Sequence, residues 1–202
     1  MITPEVVVFD LGKVLVDFDF TIAARQIAAR GSLPTDQVRP VIQESPALVR
    51  FESGQTTREQ FFEEVRALTG FRGGLEEFVA IFADIFAPMP EMIALHGRLR
   101  ERRVPTYIFS NTNELAVAHI RRSYPFFAHF DGYIYSYEVG VMKPHPPIYE
   151  ALERVAGRTG PAILYLDDRL ENVQAGAARG WQIIHHRAPP ETITAMEALG
   201  LV

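Results

Sequence analysis

Five short runs of β-branched and aromatic residues limit what this chain can fold into. Val6-Val7-Val8-Phe9 has no polar position, so both of its faces must be covered. A strand of that kind belongs in a parallel sheet between helical layers. Runs at 106–109, 132–135, 162–166 and 181–184 repeat the pattern, opened by Pro105, Asp131, Pro161 and Gly180. Helical periodicity fills the gaps between the last four. It covers 113–123, then 146–156, where Ile148, Leu152 and Val155 share a face and Gly157 is a natural stop, then 170–179, ending at Gly180. Alternation of this kind predicts a doubly wound, Rossmann-like α/β fold with a parallel sheet.

Between the first and second runs the rhythm breaks. Residues 18–88 carry helical patterns near 20–30, 36–50, 57–69 and 75–86, with no strong strand signal. Breakers stand at Gly31, Pro34, Gly54, Gly70, Gly73, Gly74 and Pro88. The expectation is a helical cap at 18–88, spliced into a core made of 1–17 and 89–202. A helix at 89–103 returns to the sheet, and its Arg98, Arg100, Arg102 and Arg103 suit a helix C-terminus.

Composition narrows the function. A chain of 202 residues, 48% hydrophobic and 22% charged, buries enough surface to need no staple. A net charge of −5 argues against a general nucleic-acid partner, which needs clustered Lys and Arg. With no cysteine there is no disulfide framework, no cysteine zinc site and no thiol nucleophile. The start, Met1-Ile2-Thr3-Pro4-Glu5, lacks the basic region of a signal peptide, and no apolar stretch is long enough for a membrane span. The expected setting is the cytoplasm, with neither nucleic acid nor membrane as partner.

In an open parallel sheet, ligands bind beyond the carboxyl ends of the strands. Asp10 follows the first run, Ser110-Asn111-Thr112-Asn113 the second and Asp167-Asp168 the fourth. Lys143 sits in the Pro-rich loop between the third and fourth. Each residue alone fits a turn, a helix cap or a solvated surface. Together they put three carboxylates, a hydroxyl and an ammonium on one edge. Close carboxylates repel unless a cation intervenes, and oxygen-only ligands point to Mg²⁺. A carboxylate can attack phosphorus to give an aspartyl-phosphate, with Ser110, the Asn111 amide and Lys143 holding the phosphoryl oxygens.

These segments resemble the haloacid dehalogenase superfamily in its phosphatase branch with a helical cap. Four motifs match in order: Val-Phe-Asp10-Leu-Gly-Lys-Val-Leu, Ile-Phe-Ser110-Asn111-Thr-Asn, Met-Lys143-Pro, and Leu-Asp167-Asp168-Arg-Leu-Glu-Asn172-Val-Gln-Ala-Gly176-Ala. Their wording, with Phe51-Glu52-Ser53-Gly54-Gln55 in the cap, is most similar to the bacterial alpha-D-glucose-1-phosphate phosphatase-like group. The resemblance implies a Mg²⁺-dependent phosphatase, with a sugar phosphate such as a sugar-1-phosphate as leading substrate. It implies Asp10 as nucleophile and metal ligand and the Gly12 backbone carbonyl as a second ligand. Asp168 would bind the metal directly and Asp167 through water. Ser110 and Asn111 would bind phosphate, Lys143 would steady Asp10 and the transferred group, and Asn172 would orient Lys143 or the metal shell.

One position departs from the pattern. Most phosphatases of the superfamily carry a second aspartate two residues after the nucleophile as general acid and base; here it is Gly12. Such a group is commonly worth about 10²–10⁴-fold. Asp17 and Asp19 are candidate replacements, an acidic leaving group such as an anomeric hydroxyl is another answer, and a weakly active or non-catalytic binding protein is a third. A metal-independent 2-haloacid dehalogenase is the nearest rival activity. Arg50, Glu52 and the turn at Gly54 are candidate specificity positions. His96 reads as interfacial or exposed, His145 as a possible substrate contact, and His185-His186 as a cap or solvent-facing pair.

Overall fold

The computed structural model describes residues 2–202. Its elements, in chain order, are β1 (Val6–Phe9), β2 (Val16–Phe18), α1 (Phe20–Ala28), α2 (Thr35–Gln43), α3 (Pro46–Glu52), α4 (Arg58–Thr69), α5 (Leu75–Ala83), β3 (Phe86–Pro88) and α6 (Pro90–Glu101). Then come β4 (Thr106–Ser110), α7 (Glu114–Ser123), β5 (Gly132–Tyr135), α8 (Ser136–Val139), α9 (Pro146–Ala156), β6 (Ile163–Asp167), α10 (Leu170–Ala178), β7 (Gln182–His185) and α11 (Pro189–Ala198).

Five strands form a parallel sheet in the order β5-β4-β1-β6-β7. Every position of β1 is buried, as its unbroken apolar run requires. Val7, Phe9, Ile108, Leu164 and Leu166 meet α6, α7 and α11 through Met92, Leu95, Leu99, Val117, Ile120 and Met196. On the other face Val8, Phe109 and Tyr165 meet Ile148, Tyr149 and Leu152 of α9, Val173 of α10, and Trp181 just before the last strand. Burying side chains of this size contributes on the order of 2 kcal/mol each. The chain leaves β1 for β4 on one side and reaches β6 on the other. The strand order therefore reverses at β1, which opens a crevice at its carboxyl end.

Helices α1–α5 pack around a second apolar cluster, rich in phenylalanine (Phe51, Phe61, Phe62, Phe71, Phe78 and Phe82), which Leu115 of α7 joins to the core. Phe51 and Phe61 stack at 4.7 Å. The expected helix at 36–50 is two helices. Pro46 opens α3 and the Ser45 side chain accepts from Leu48 N–H, so the chain restarts rather than continues. Thr57 and Gln60 form a capping box at α4.

Several elements have no counterpart in the sequence pattern. β2 and β3 form a short antiparallel pair, three residues each, where the chain enters and leaves the helical unit. Helix α11 packs Met196 under the sheet. At the turn after α3, Gly54 has φ +66° and lies so close to the Tyr137 carbonyl that an added Cβ would sit 2.2 Å from its oxygen. That contact seats the end of α3 on the core beside α8. No helix among the described residues is long and apolar enough to cross a membrane.

Candidate active site

The register of the sheet brings the polar strand ends together. Phe9 stands opposite Ile108 of β4 and Leu166 of β6. One step further on, Asp10 and Asp167 emerge side by side, with Ser110 at the end of the neighbouring strand. Asp10, Lys143, Asp167 and Ser110 are all buried.

Lys143 is the hub. Its ammonium donates to Asp167 Oδ2 at 2.6 Å and to the Phe109 carbonyl at 2.8 Å, and lies 3.0 Å from Asp10 Oδ1. Burial disfavours the charged lysine, but Asp10 and Asp167 outweigh it and hold its pKa above the ordinary value. Asn111 fixes the loop that carries Lys143: its side-chain amide donates to the Lys143 carbonyl at 3.0 Å, and its Oδ1 accepts from the Lys143 N–H at 2.7 Å. That clamp commits the Asn111 side chain to holding the loop.

Asp167 is saturated with donors. Besides Lys143, it accepts from the Tyr165 hydroxyl, from Arg169 N–H at 2.8 Å, and from the Asn172 amide at 3.0 and 3.1 Å. Asn172 therefore orients Asp167, and reaches Lys143 only through it. Asp10 Oδ1 accepts from Leu11 N–H at 2.7 Å. The Gly12 carbonyl takes none of the hydrogen bonds of its turn, where Lys13 N–H pairs with Val16 and Val16 N–H with Leu11. His185 Nε2 lies 2.9 Å from the Asp168 carbonyl oxygen and braces that loop.

One oxygen from each of Asp10, Asp167 and Asp168 lies within 4.8 Å of the others. Three carboxylates against one ammonium leave an excess of two negative charges (−3 + 1 = −2). The strain shows on Asp10, whose pKa burial raises well above the carboxylate range; Lys143 opposes the rise, and Asp167 and Asp168 add to it. Burial and Asp167 raise Asp168 as well. A divalent cation on Asp10, Asp168 and the Gly12 carbonyl would cancel the excess, and an all-oxygen donor set is the kind Mg²⁺ takes.

Above this floor is a cavity of about 270 Å³, lined by Asp10, Gly12, Phe18, Phe20, Leu48 and Glu52 among others. A narrower apolar recess continues from it, walled by Phe82, Ile85 and Phe86.

Several expectations for other residues need correction. Asp17 is exposed and paired with Lys13, and Asp19 is spent as the N-cap of α1. Both have lowered pKa values, Asp17 first through Lys13 and Asp19 through Thr21, so neither holds a proton to give. Arg50 faces away from the cavity and pairs with both oxygens of Glu64 at 2.7 Å. His96 is buried, stacked 3.9 Å from Phe130, and 3.1 Å from the Thr106 hydroxyl. His186 is buried against Thr192 at 2.7 Å. His145 is exposed at the start of α9.

A family profile described as haloacid dehalogenase-like hydrolase matches residues 4–180. The chain belongs to the haloacid dehalogenase-like hydrolases. Within that family it is 30% identical over 124 residues to a pyrimidine 5'-nucleotidase of Escherichia coli, a match covering 58% of this chain and 55% of that protein. The chain thus spans only about half the length of that relative. It is 22% identical over 184 residues to a D-ribitol-5-phosphate phosphatase of Bacteroides thetaiotaomicron, covering 87% and 88% of the two chains. Among solved structures it shares its fold with a haloacid dehalogenase-family enzyme of Bacteroides thetaiotaomicron, crystallised with magnesium and inorganic phosphate. The TM-score is 0.80 and the identity 21%, with 92% of this chain and 95% of that one covered.

Proposed function

We propose that this hydrolase is a Mg²⁺-dependent phosphatase that acts on a small phosphomonoester through an aspartyl-phosphate on Asp10. The observation that carries the reading is the buried Asp10 at the carboxyl end of the central strand, with Lys143 at 3.0 Å and two further carboxylates in reach. An unesterified carboxylate so placed can attack phosphorus. Lys143 offsets the charge gathering on the phosphoryl oxygens, while the Ser110 hydroxyl and the Asn111 backbone N–H complete their cradle. Asp10, Asp168 and the Gly12 carbonyl would hold Mg²⁺, with Asp167 behind, and the ion would supply charge neutralisation at the phosphate. Asn172 and Asn111 position Asp167 and Lys143.

Residues 18–88 then act as a cap over a core of 1–17 and 89–202. Their phenylalanine-rich cluster, to which the core adds only Leu115 among its buried members, and the β2–β3 pair at their base support that division. Cap closure would exclude water from the reacting phosphate. The cavity combines Glu52 and Gln43 with the faces of Phe18 and Phe20, which suits a small leaving group with both hydroxyls and an apolar side. A sugar phosphate has that character, and the phosphatase and nucleotidase relatives favour a phosphorylated metabolite. The lack of cysteine agrees with a cytoplasmic setting. The test is phosphate release across sugar phosphates, nucleotides and polyol phosphates, with Mg²⁺ or EDTA. Release that needs Mg²⁺ supports the reading. EDTA-resistant halide release from 2-haloacids with no phosphate release would replace it.

A further inference from the structure

An alkoxide is too basic to leave phosphorus readily at neutral pH without a proton, so a phosphatase gains from a donor beside the leaving oxygen. Gly12 has no side chain to serve. It also has little room for one, because a Cβ there would lie 2.8 Å from Phe18 Cε1. The ionisable groups lining the cavity are Asp10, Lys13, Glu52, Lys143, Asp168 and Arg169. Asp10, Lys143 and Asp168 belong to the phosphate and metal floor. Lys13 is paired with Asp17 and donates to the Phe18 carbonyl at 3.1 Å. Arg169 is paired with Glu171 at 2.5 Å. Glu52 remains.

Glu52 is the last residue of α3 and closes the cavity from the helical side. It also borders the apolar recess, beside Gly12, Phe18, Ser110 and Asn113, so it sits where the two spaces join. No cation approaches it within salt-bridge distance among the described residues. Phe18, Phe20, Phe82 and Phe86 line the two spaces with it. Burial pushes its pKa up to about 7, with Asn113 and the charge of Arg169 opposing the rise. A carboxyl near neutrality can both give and take a proton.

We propose that Glu52, reaching in from the helical unit, is the catalytic acid and base of this site. The proposal rests on the phosphatase reading above. In the first step an Asp10 oxygen bonds to phosphorus while the ester P–O bond breaks. Its electron pair stays on the leaving oxygen, which takes the Glu52 proton to depart as the alcohol. In the second step the Glu52 carboxylate takes a proton from water. The water oxygen bonds to phosphorus, the bond to Asp10 breaks, and phosphate leaves with Asp10 and Glu52 restored. The arrangement ties proton transfer to the seating of α3 on the core.

The decisive variant is Glu52→Gln, which keeps shape and removes the proton. It is assayed with Mg²⁺ on p-nitrophenyl phosphate, whose leaving group needs no proton, and on an alkyl phosphate, whose leaving group does. The expected result is that kcat/KM for the alkyl ester falls about 10²–10⁴-fold while that for p-nitrophenyl phosphate stays within a few-fold. A burst of p-nitrophenolate should then precede slow turnover, because the second step lacks its base. Glu52→Asp should recover part of the alkyl activity. Equal losses on both esters, or no loss on either, would overturn the assignment of Glu52 alone. Wild-type protein inactive on both esters would overturn the phosphatase reading with it. Unchanged thermal unfolding of the Gln variant separates lost chemistry from lost structure, and if it unfolds, the leaving-group contrast is read on Glu52→Asp.

Discussion

The floor and the roof of the cleft are built differently. On the floor, Lys143, Asp167, Asn172 and Asn111 hold one another through hydrogen bonds of 2.6–3.1 Å at the carboxyl edge of the buried sheet. On the roof, Glu52 ends a seven-residue helix, borders the apolar recess and has no ion-pair partner among the described residues. The difference teaches where rigidity is needed. On the proposed reading, groups that meet the phosphate face the same ligand in every turnover, which suits a locked floor. On the same reading Glu52, which would meet the rest of the substrate, is carried instead by the helical unit, which packs on the core through Leu115 and Gly54.

The largest test of this contrast is Lys143→Met. It removes the cation between two buried carboxylates, so stability should fall by about 3–5 kcal/mol in chemical denaturation, with phosphatase activity lost. A mild loss would mean the floor is less locked than its geometry implies.

A control away from both faces comes next. His96 is held neutral: burial, then Arg100, lowers its pKa to about 4 from 6.5. The unfolded chain therefore binds more protons between those values. The stabilisation is complete above pH 6.5 and is lost as pH falls toward 4, by on the order of 2 kcal/mol. His96→Phe should flatten that part of the pH–stability curve. An unchanged curve would assign acid sensitivity to the carboxylate floor instead.

Asp168→Asn sharpens the comparison in the opposite direction. Asp168 adds to the negative excess, so the variant should gain about 1 kcal/mol without Mg²⁺ and lose the stabilisation Mg²⁺ gives the wild type. Thermal unfolding with Mg²⁺ and with EDTA reads both effects. Smallest is Gly12→Ala. Its methyl must displace the partly exposed Phe18 ring, at a cost of about 1 kcal/mol.

The same contrast explains what could be read from the sequence. A strand in a parallel sheet is a short apolar run that stops abruptly at polar residues, so Asp10, Ser110 and Asp167 stood out together with all five sheet strands. The roof carries no such periodic signal. β2 and β3 are three residues each, and one of them ends in Pro88. The break between α2 and α3 depends on a cap at Ser45 that interrupts a continuous helical pattern. Glu52 was legible only as a cap residue of possible specificity, because its enclosure comes from Phe18, Phe20 and Asn113, distant in sequence. Asp17 and Asp19 looked available until their partners, Lys13 and the first turn of α1, were seen. The burial of His96 and His186 likewise depends on contacts no local pattern encodes.

The central claim is that Asp10 takes up the phosphoryl group. Acid quenching of the wild type during turnover of a labelled phosphomonoester with Mg²⁺, followed by peptide mapping, tests it directly. The account predicts hydroxylamine-sensitive label on the peptide carrying Asp10, absent in Asp10→Asn. Label on another residue, or full turnover by Asp10→Asn, would contradict it.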